Sequence, residues 1–339
     1  MRRQSRHSLH GLAPLPLVNR AAAPLLAAAS GALGGALFAL GQGRAPAPAR
    51  SPSPSPATLD LGGLRIHALQ TGRVAVKRAH RALAGPAATR LGAIALDPRW
   101  TPWLPVTCWA IEHPEGVVMV DTGETARTAE PGYFDCDPGR AFVYTRLLRF
   151  DVAPEDEAGL HLRRLGVDPE AVQTVAMTHL HGDHTGGAGH FPNARFLVGR
   201  DEIERPTRGA LQCSWPEFFR PEPVAYRDGP FGAFPVSQAL TPDGAVRLVP
   251  TPGHTRGHQS VLVRSTGPNG ERWVLLAGDA SFDAGQARSG EVAGICDDVG
   301  AARRTLGAIR DQLRSGPTVY VTSHDPEGSA RLAAGVTST

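Results

Sequence analysis

From Thr178 to Gly187 the chain reads Thr-His-Leu-His-Gly-Asp-His-Thr-Gly-Gly, which puts three histidines and an aspartate within six residues at the spacing H-x-H-x-D-H. Imidazole nitrogens and carboxylate oxygens are the donors that zinc and similar divalent ions take. The apolar run before it, residues 172–177, reads as a buried strand. If the extended backbone continues, His179 and His181 fall on the same side, because side chains alternate along a strand. Gly182 lets the chain turn, so that Asp183 and His184 offer ligands from a second direction. One compact loop of this kind can serve two adjacent ions.

The net charge of +3 over 339 residues is uneven. Before Asp60 there are no acidic residues but six arginines (Arg2, Arg3, Arg6, Arg20, Arg44 and Arg50), and without them 29 basic and 32 acidic residues remain. The basic character belongs to the tail, and the body offers no electrostatic case for a nucleic-acid partner. Residues 21–43 are uncharged and rich in Ala, Leu and Gly, and Ser51-Pro52-Ser53-Pro54-Ser55-Pro56 follows as a stiff linker. A basic start, an apolar middle and small residues at a possible cut resemble an export signal. Residues 1–57 are therefore expected to be a leader and linker, with export to a periplasmic or secreted location favoured over the cytoplasm. Membrane contact is expected only through that leader. The folded domain is expected over 58–332. The four cysteines, Cys108, Cys136, Cys213 and Cys296, form no C-x-x-C pair, and a chain of this length needs no disulfide staples.

Along the body, residues 64–69 and 73–79 read as two short strands joined at Gly72. Residues 106–112 and 117–121 read as a hairpin turning at Pro114-Glu115-Gly116, closed by Asp121-Thr122-Gly123. A helix is expected from Pro154 to Leu165, then the strand feeding the metal loop, then a strand over 195–198. Residues 205–245, rich in Pro, Phe and Gly, read as a substrate-covering insertion or a plain surface loop. Strands follow over 245–250, 260–264 and 273–276. Val299, Ala302, Leu306, Ile309 and Leu313 recur at helical spacing, with Asp297 or Asp298 as cap and Gly316 as stop, and the last strand is expected over 318–322. Strands first and then strand–helix alternation, twice over, is an α/β pattern that suggests two sheets flanked by helices.

Three more metal-type residues sit at the ends of these strands: His254 in Thr-Pro-Gly-His-Thr-Arg-Gly-His, Asp279 in Leu-Leu-Ala-Gly-Asp-Ala, and His324 in Val-Thr-Ser-His-Asp. In this order the motifs resemble those of metallo-β-lactamase-fold hydrolases, over roughly residues 60–330. Within that superfamily the chain is most similar to the N-acyl homoserine lactonase group, through the 111–116 hairpin leading to Asp121-Thr122-Gly123, the run Thr-Pro-Gly-His-Thr-Arg-Gly-His-Gln-Ser, and Ser323-His324-Asp325. The resemblance implies the metallo-β-lactamase-like αβ/βα four-layer sandwich. It implies that His179, His181 and His254 hold one metal, that Asp183, His184 and His324 hold a second, and that Asp279 bridges them. Two divalent ions are implied, zinc by default, although iron, manganese or cobalt accept the same donors.

The chemistry that resemblance implies is attack on a lactone or related carboxylic ester by a hydroxide bridging the two ions. Asp183 would carry a proton to the leaving alkoxide, making it the catalytic residue, and the partner would be a small acyl substrate. Asp121 and His258 are placed beside the ligands, with turn stabilisation an equal reading for Asp121. Ser260 and Ser323 read as structural, and His113, His161 and His190 as turn or helix-surface residues. One departure stands out. The lactonase group usually has a tyrosine three residues after the bridging aspartate, where this chain has Phe282; Ser281, Tyr226 or a metal would have to replace its hydroxyl. Alternatives are a thioester hydrolase resembling glyoxalase II, which usually carries a C-terminal helical domain where only fifteen residues follow His324 here, a phosphodiesterase, a β-lactam hydrolase, or a metal-binding module without turnover.

Overall fold

Alternation along the strand Arg65–Val76 sorts its side chains onto two faces, Ile66 and Ala68 to one and Leu69 to the other. The same alternation in Leu104–His113 splits Trp109 and Ile111 from Cys108 and Ala110. Each sheet is thus apolar on both faces and must be covered on both. The computed structural model describes residues 45–47, 53–82, 89–207, 209–267 and 270–338. The leader expected over residues 1–57 lies mostly outside the described residues. Among those described, no helix is long and apolar enough to cross a membrane.

The first sheet has eight strands: β1 (Ala57–Asp60), β2 (Arg65–Val76), β3 (Leu104–His113), β4 (Gly116–Val120), β5 (Leu148–Asp151), β6 (Thr174–Ala176), β7 (Arg195–Gly199) and β8 (Pro221–Val224). Their order is β1-β2-β3-β4-β6-β7-β8, with β5 on β2. The second sheet runs β13 (Thr318–Val321), β12 (Gly270–Leu276), β11 (Gln259–Gly267), β10 (Val246–Pro250), β9 (Gln238–Ala239). Between them lies one core, in which Ile66, Trp109, Ile111, Val118 and Val120 meet Leu248, Val261, Val274, Leu276 and Val319. On the outer face of the first sheet, Leu162 of the helix Ala158–Arg164 joins Leu69, Met119, Val175 and Phe196. On the outer face of the second, Leu306, Ile309 and Leu313 of the helix Val299–Ser315 cover Leu262, Leu275 and Tyr320. Helix, sheet, sheet, helix is the expected four-layer sandwich.

Pairing fixes where the loops emerge. β4, β6 and β7 are parallel, as are β12 and β13, while β10 reaches β12 through two antiparallel steps. The carboxyl ends of β4, β6, β10, β12 and β13 therefore deliver Asp121, the 178–184 segment, the 251–258 segment, Asp279 and His324.

Four expectations change. The two short strands around Gly72 are one strand, β2, whose register shifts between Gln70 and Gly72, a bulge that bends the strand without ending it. The helix expected from Pro154 is a 3-10 turn, Pro154–Asp156, and a shorter helix, Ala158–Arg164. Glu157 between them is extended, because its carboxylate leaves to accept from the Ala126 N–H at 2.8 Å and the Thr125 hydroxyl at 3.0 Å. The 205–245 stretch is largely neither cover nor plain loop. It supplies the edge strand β8, where Pro221 and Pro223 are tolerated because an edge need not donate on both sides. It also buries Phe231 and Phe234 under the second helical layer. Finally, Cys136 and Cys213 form a disulfide across 77 residues, while Cys108 and Cys296 are buried thiols. Chain length removes the need for a staple but does not forbid one.

Candidate metal centre

β4 ends at Val120, and the next residue, Asp121, takes φ +59°, a left-handed conformation that aspartate tolerates better than most residues. This turns its fully buried carboxylate back over the neighbouring strand end. One oxygen accepts from the Thr178 N–H at 2.6 Å; the other accepts from the Thr178 hydroxyl and from His184 Nδ1, both at 2.8 Å. Asp121 therefore serves both of the roles held open for it: it stabilises the turn and orients a histidine. His181 begins a single helical turn, Gly182–Thr185, so Asp183 and His184 project from a helix and not from a loop.

The donors converge. His179, His181, His254 and Asp279 each offer an atom within 4.8 Å of the others, and Asp183, His184 and His324 do the same. Asp279 touches both groups. Its Oδ1 lies 3.4 Å from His184 Nε2, and its Oδ2 lies 3.5 Å from His254 Nε2 and 3.3 Å from His324 Nε2. His324 Nε2 is also 3.4 Å from Asp183 Oδ2. All seven candidates named from the sequence thus meet at one sheet edge.

Whether these residues suit an ion is tested by their unused atoms. His179 Nε2, His184 Nε2 and Asp279 Oδ1 are buried without any hydrogen-bond partner, a costly arrangement unless something else satisfies them. The opposite ring nitrogens are occupied. His184 Nδ1 meets Asp121, His254 Nδ1 meets the Ile295 carbonyl at 3.3 Å, and His324 Nδ1 meets the Pro105 carbonyl at 2.8 Å. His181 reverses the pattern: its Nε2 meets the Thr207 hydroxyl at 3.2 Å, and its Nδ1 faces His254 Nε2 at 3.1 Å. An outward nitrogen tied down and an inward one bare is how metal-binding imidazoles are held. The residues fit divalent metal.

Charge points the same way. Burial, with the neighbouring imidazoles, holds His179 far below the ordinary histidine value and His181 down to about 3. Burial also presses on His324, but Asp279 and Asp183 lift it to about 10, and carboxylates likewise raise His184. Three carboxylates packed among bare imidazoles demand positive charge, which a divalent cation supplies.

Supporting contacts lock the loops. Gly278 (φ +52°) lies against Thr178, and Gly253 (φ +145°) lies against the Ala302 backbone, where a Cβ would sit 2.4 Å from Ala302 Cα. The Asp279 N–H donates to His258 Nε2 at 3.1 Å, so His258 holds the backbone of Asp279 and lies beside the candidate ligands, where the sequence placed it. Ser260 Oγ pairs with Thr251 at 2.8 Å, in keeping with a structural role. His161 is not on a helix surface: it is buried, with its Nε2 2.9 Å from the Gln70 carbonyl oxygen. His113 and His190 pair with Asp243 and Glu157.

The sequence reading did not single out Glu202, Thr207 or Tyr144. Buried Glu202 accepts from Leu180 N–H at 3.2 Å and Gly257 N–H at 3.0 Å, tying together the two loops that carry histidines. Glu202→Ala strands both amides and is expected to lower unfolding free energy in urea by roughly 2–5 kcal/mol; a midpoint equal to that of wild type would contradict this role. The Tyr144 hydroxyl accepts from the Gly182 N–H at 2.9 Å and donates to the Gly209 carbonyl at 2.5 Å. A cavity of about 500 Å³ opens over the centre, lined by His181, Asp183, His254, Asp279 and His324 and walled by Val76, Ile94, Leu147, Phe282 and Ile295.

Residues 101–324 match the metallo-beta-lactamase superfamily. A probable metallo-hydrolase of Mycobacterium tuberculosis is 34% identical over 193 residues, which cover 52% of this chain and only 56% of that protein's length. The N-acyl homoserine lactonase AttM of Agrobacterium fabrum is 30% identical over 242 residues, covering 68% of this chain and 85% of that one. Among solved structures, an N-acyl homoserine lactone hydrolase with N-hexanoyl-L-homoserine at its metal centre superposes with a TM-score of 0.61 at 22% identity, over 82% of this chain and 96% of that one, a likeness of fold.

Proposed function

Since the chain belongs to the metallo-beta-lactamase superfamily, we propose that it is a metal-dependent hydrolase of lactonase type, opening lactones or related carboxylic esters at the seven-residue centre. The observation that carries this reading is the set of bare, buried donor atoms on His179, His184 and Asp279 beneath an apolar-walled cavity. The similarity to the AttM lactonases supports lactones as the substrate class.

His179, His181 and His254 would hold one ion, Asp183, His184 and His324 the other, with Asp279 between them. Bound there, a divalent pair, taken as zinc, supplies a nucleophile near neutral pH and positive charge for the oxygen that becomes negative. Asp183 lines the cavity with its Oδ2 beside His324, placed to take a proton from the nucleophile and return it to the leaving alkoxide. Apolar side chains of Val76, Ile94 and Leu147 exclude water and receive the acyl portion. No serine or cysteine nucleophile is required.

Phe282 stands in the cavity wall, its ring centroid 5.9 Å from that of His324. Neither residue considered as a replacement hydroxyl is available. Ser281 Oγ is engaged by Tyr320 at 2.8 Å, and Tyr226 donates to Gln259 at 2.6 Å within the core between the sheets. Phe282→Tyr is therefore expected to raise kcat/KM for a lactone roughly tenfold, since one donor to a developing oxyanion contributes a few kcal/mol at most. An unchanged or lower rate with unaltered stability would remove position 282 from substrate contact.

The reading is tested by metal analysis together with a panel of lactone, ester, thioester and phosphodiester substrates, with products identified. Ring-opened hydroxy acid is the expected product. Hydrolysis confined to thioesters or phosphodiesters, or bound metal without turnover of any substrate, would replace it.

A further inference from the structure

Two parts of the cavity wall come from segments far apart in the chain. One is the helix Pro138–Leu147, through Val143, Tyr144 and Leu147; the other is Thr207 with Gly209. The second meets a candidate ligand directly. The Thr207 hydroxyl lies 3.2 Å from His181 Nε2, and Gly209 is so close to the same ring that a Cβ there would sit 2.2 Å from His181 Cδ2. Yet between the helix Arg200–Glu204 and β8 the described chain forms only the short turn Gln212–Ser214, so little regular backbone bonding keeps this part in place.

What keeps it there reaches across from the first part. The Tyr144 hydroxyl donates to the Gly209 carbonyl, and the Phe134 ring stacks on Tyr144 with centroids 5.0 Å apart and planes at 12°. Cys136 follows shortly after Phe134, and Cys213 shortly after Gly209. Their disulfide, with Cα atoms 6.0 Å apart, closes a circuit that runs from Phe134 through Tyr144 and Gly209. Once it is open, the two segments must be brought together by non-covalent contacts alone, against the entropy of the long loop between them. Both cysteines are exposed. Cys108 and Cys296 are buried thiols whose pKa burial raises, so a thiolate that attacks this disulfide comes from outside.

We propose that Cys136–Cys213 is a thiol-exchange site that braces the centre: while it is joined, Thr207 and Gly209 stay against His181, and a low-molecular-weight thiol that opens it frees that wall and weakens the ion assigned to His179, His181 and His254. A thiolate attacks one sulfur and expels the other, and a second thiol then attacks the mixed disulfide. Two thiols RSH become RSSR, while Cys136 and Cys213 each gain one electron and one proton. His181 keeps its inward nitrogen but loses the partner that orients its ring, so affinity falls without vanishing. This rests on the reading of the same residues as a metal-dependent hydrolase.

The test uses the full chain in three forms: oxidised; reduced with glutathione that is removed before zinc is added; and carrying Cys136→Ser with Cys213→Ser, which leaves the link open with no thiol there to bind zinc. Peptide mapping reads which sulfurs are joined. Without metal, amide hydrogen exchange over residues 209–215 is expected to be about tenfold faster in both open forms. With zinc, competition with a chelator is expected to show the weaker-held ion bound about tenfold less tightly, and lactone kcat/KM at limiting zinc should fall with it. Reoxidation should restore the wild-type chain and leave the serine variant unchanged. Should that variant not fold, the reversible cycle of the wild-type chain decides alone. Equal exchange over 209–215, equal zinc affinity in the oxidised and reduced chains, or a disulfide that glutathione does not open overturns the proposal. Faster exchange and weaker zinc binding with no lactone opened leaves the brace standing and removes the hydrolase reading. Lactone opening with exchange and affinity the same in both forms does the reverse.

Discussion

Asp279→Ala is expected to abolish hydrolysis, with kcat/KM falling by a factor on the order of 10³ or more and excess metal failing to restore it. The carboxylate faces both groups, at 3.3–3.5 Å from the Nε2 atoms of His184, His254 and His324. Alanine removes a negative charge from among four buried imidazoles and leaves the remaining carboxylate donor, Asp183, on one side only. Repulsion between two cations would then lack the anion that lies between them. The check is metal per chain after dialysis, read beside turnover, with circular dichroism confirming the fold. Two ions retained at wild-type rate would dissolve the shared-centre assignment. His181→Ala should act similarly through the first group alone.

The convergence of the seven candidate donors was legible because their motif is dense and because each of the later three ends a strand. A strand end in an α/β sandwich can face only one of two edges, and order along the chain put them on the same one. Asp121 and His258 were legible for the same reason. Tyr144, Thr207 and Glu202 were not, since each carries out its task from an element with no motif of its own. Tyr144 sits mid-helix in Pro138–Leu147, and its hydroxyl reaches Gly182 and Gly209 only through tertiary packing. Thr207 lies in a stretch whose Pro-, Phe- and Gly-rich composition hides an edge strand and two core phenylalanines. The break at Glu157 shows the same limit: helix periodicity favoured continuity, while a side-chain bond to Ala126, thirty-one residues away, decided otherwise.

Asp121→Asn separates orientation from coordination. Asparagine tolerates the positive φ of this position, so the backbone turn survives. The carboxamide, however, has one acceptor where the carboxylate has two. One oxygen of Asp121 faces the Thr178 N–H, and the other faces the Thr178 hydroxyl and His184 Nδ1. If the NH₂ group replaces the first oxygen, two donors confront each other at a buried amide. If it replaces the second, His184 must move its hydrogen from Nδ1 to Nε2, the bare atom that faces Asp279. That hydrogen occupies the position an ion would take. Affinity for the ion held by Asp183, His184 and His324 is therefore expected to fall about ten- to a hundredfold, as happens when such an orienting partner is lost. Turnover should fall at limiting metal and return as metal is added, in contrast to Asp279→Ala. Competition with a chelator measures the affinity, and the rescue curve measures the rest. A variant that binds both ions as tightly as wild type would show that the Asp121–His184 contact only closes a turn.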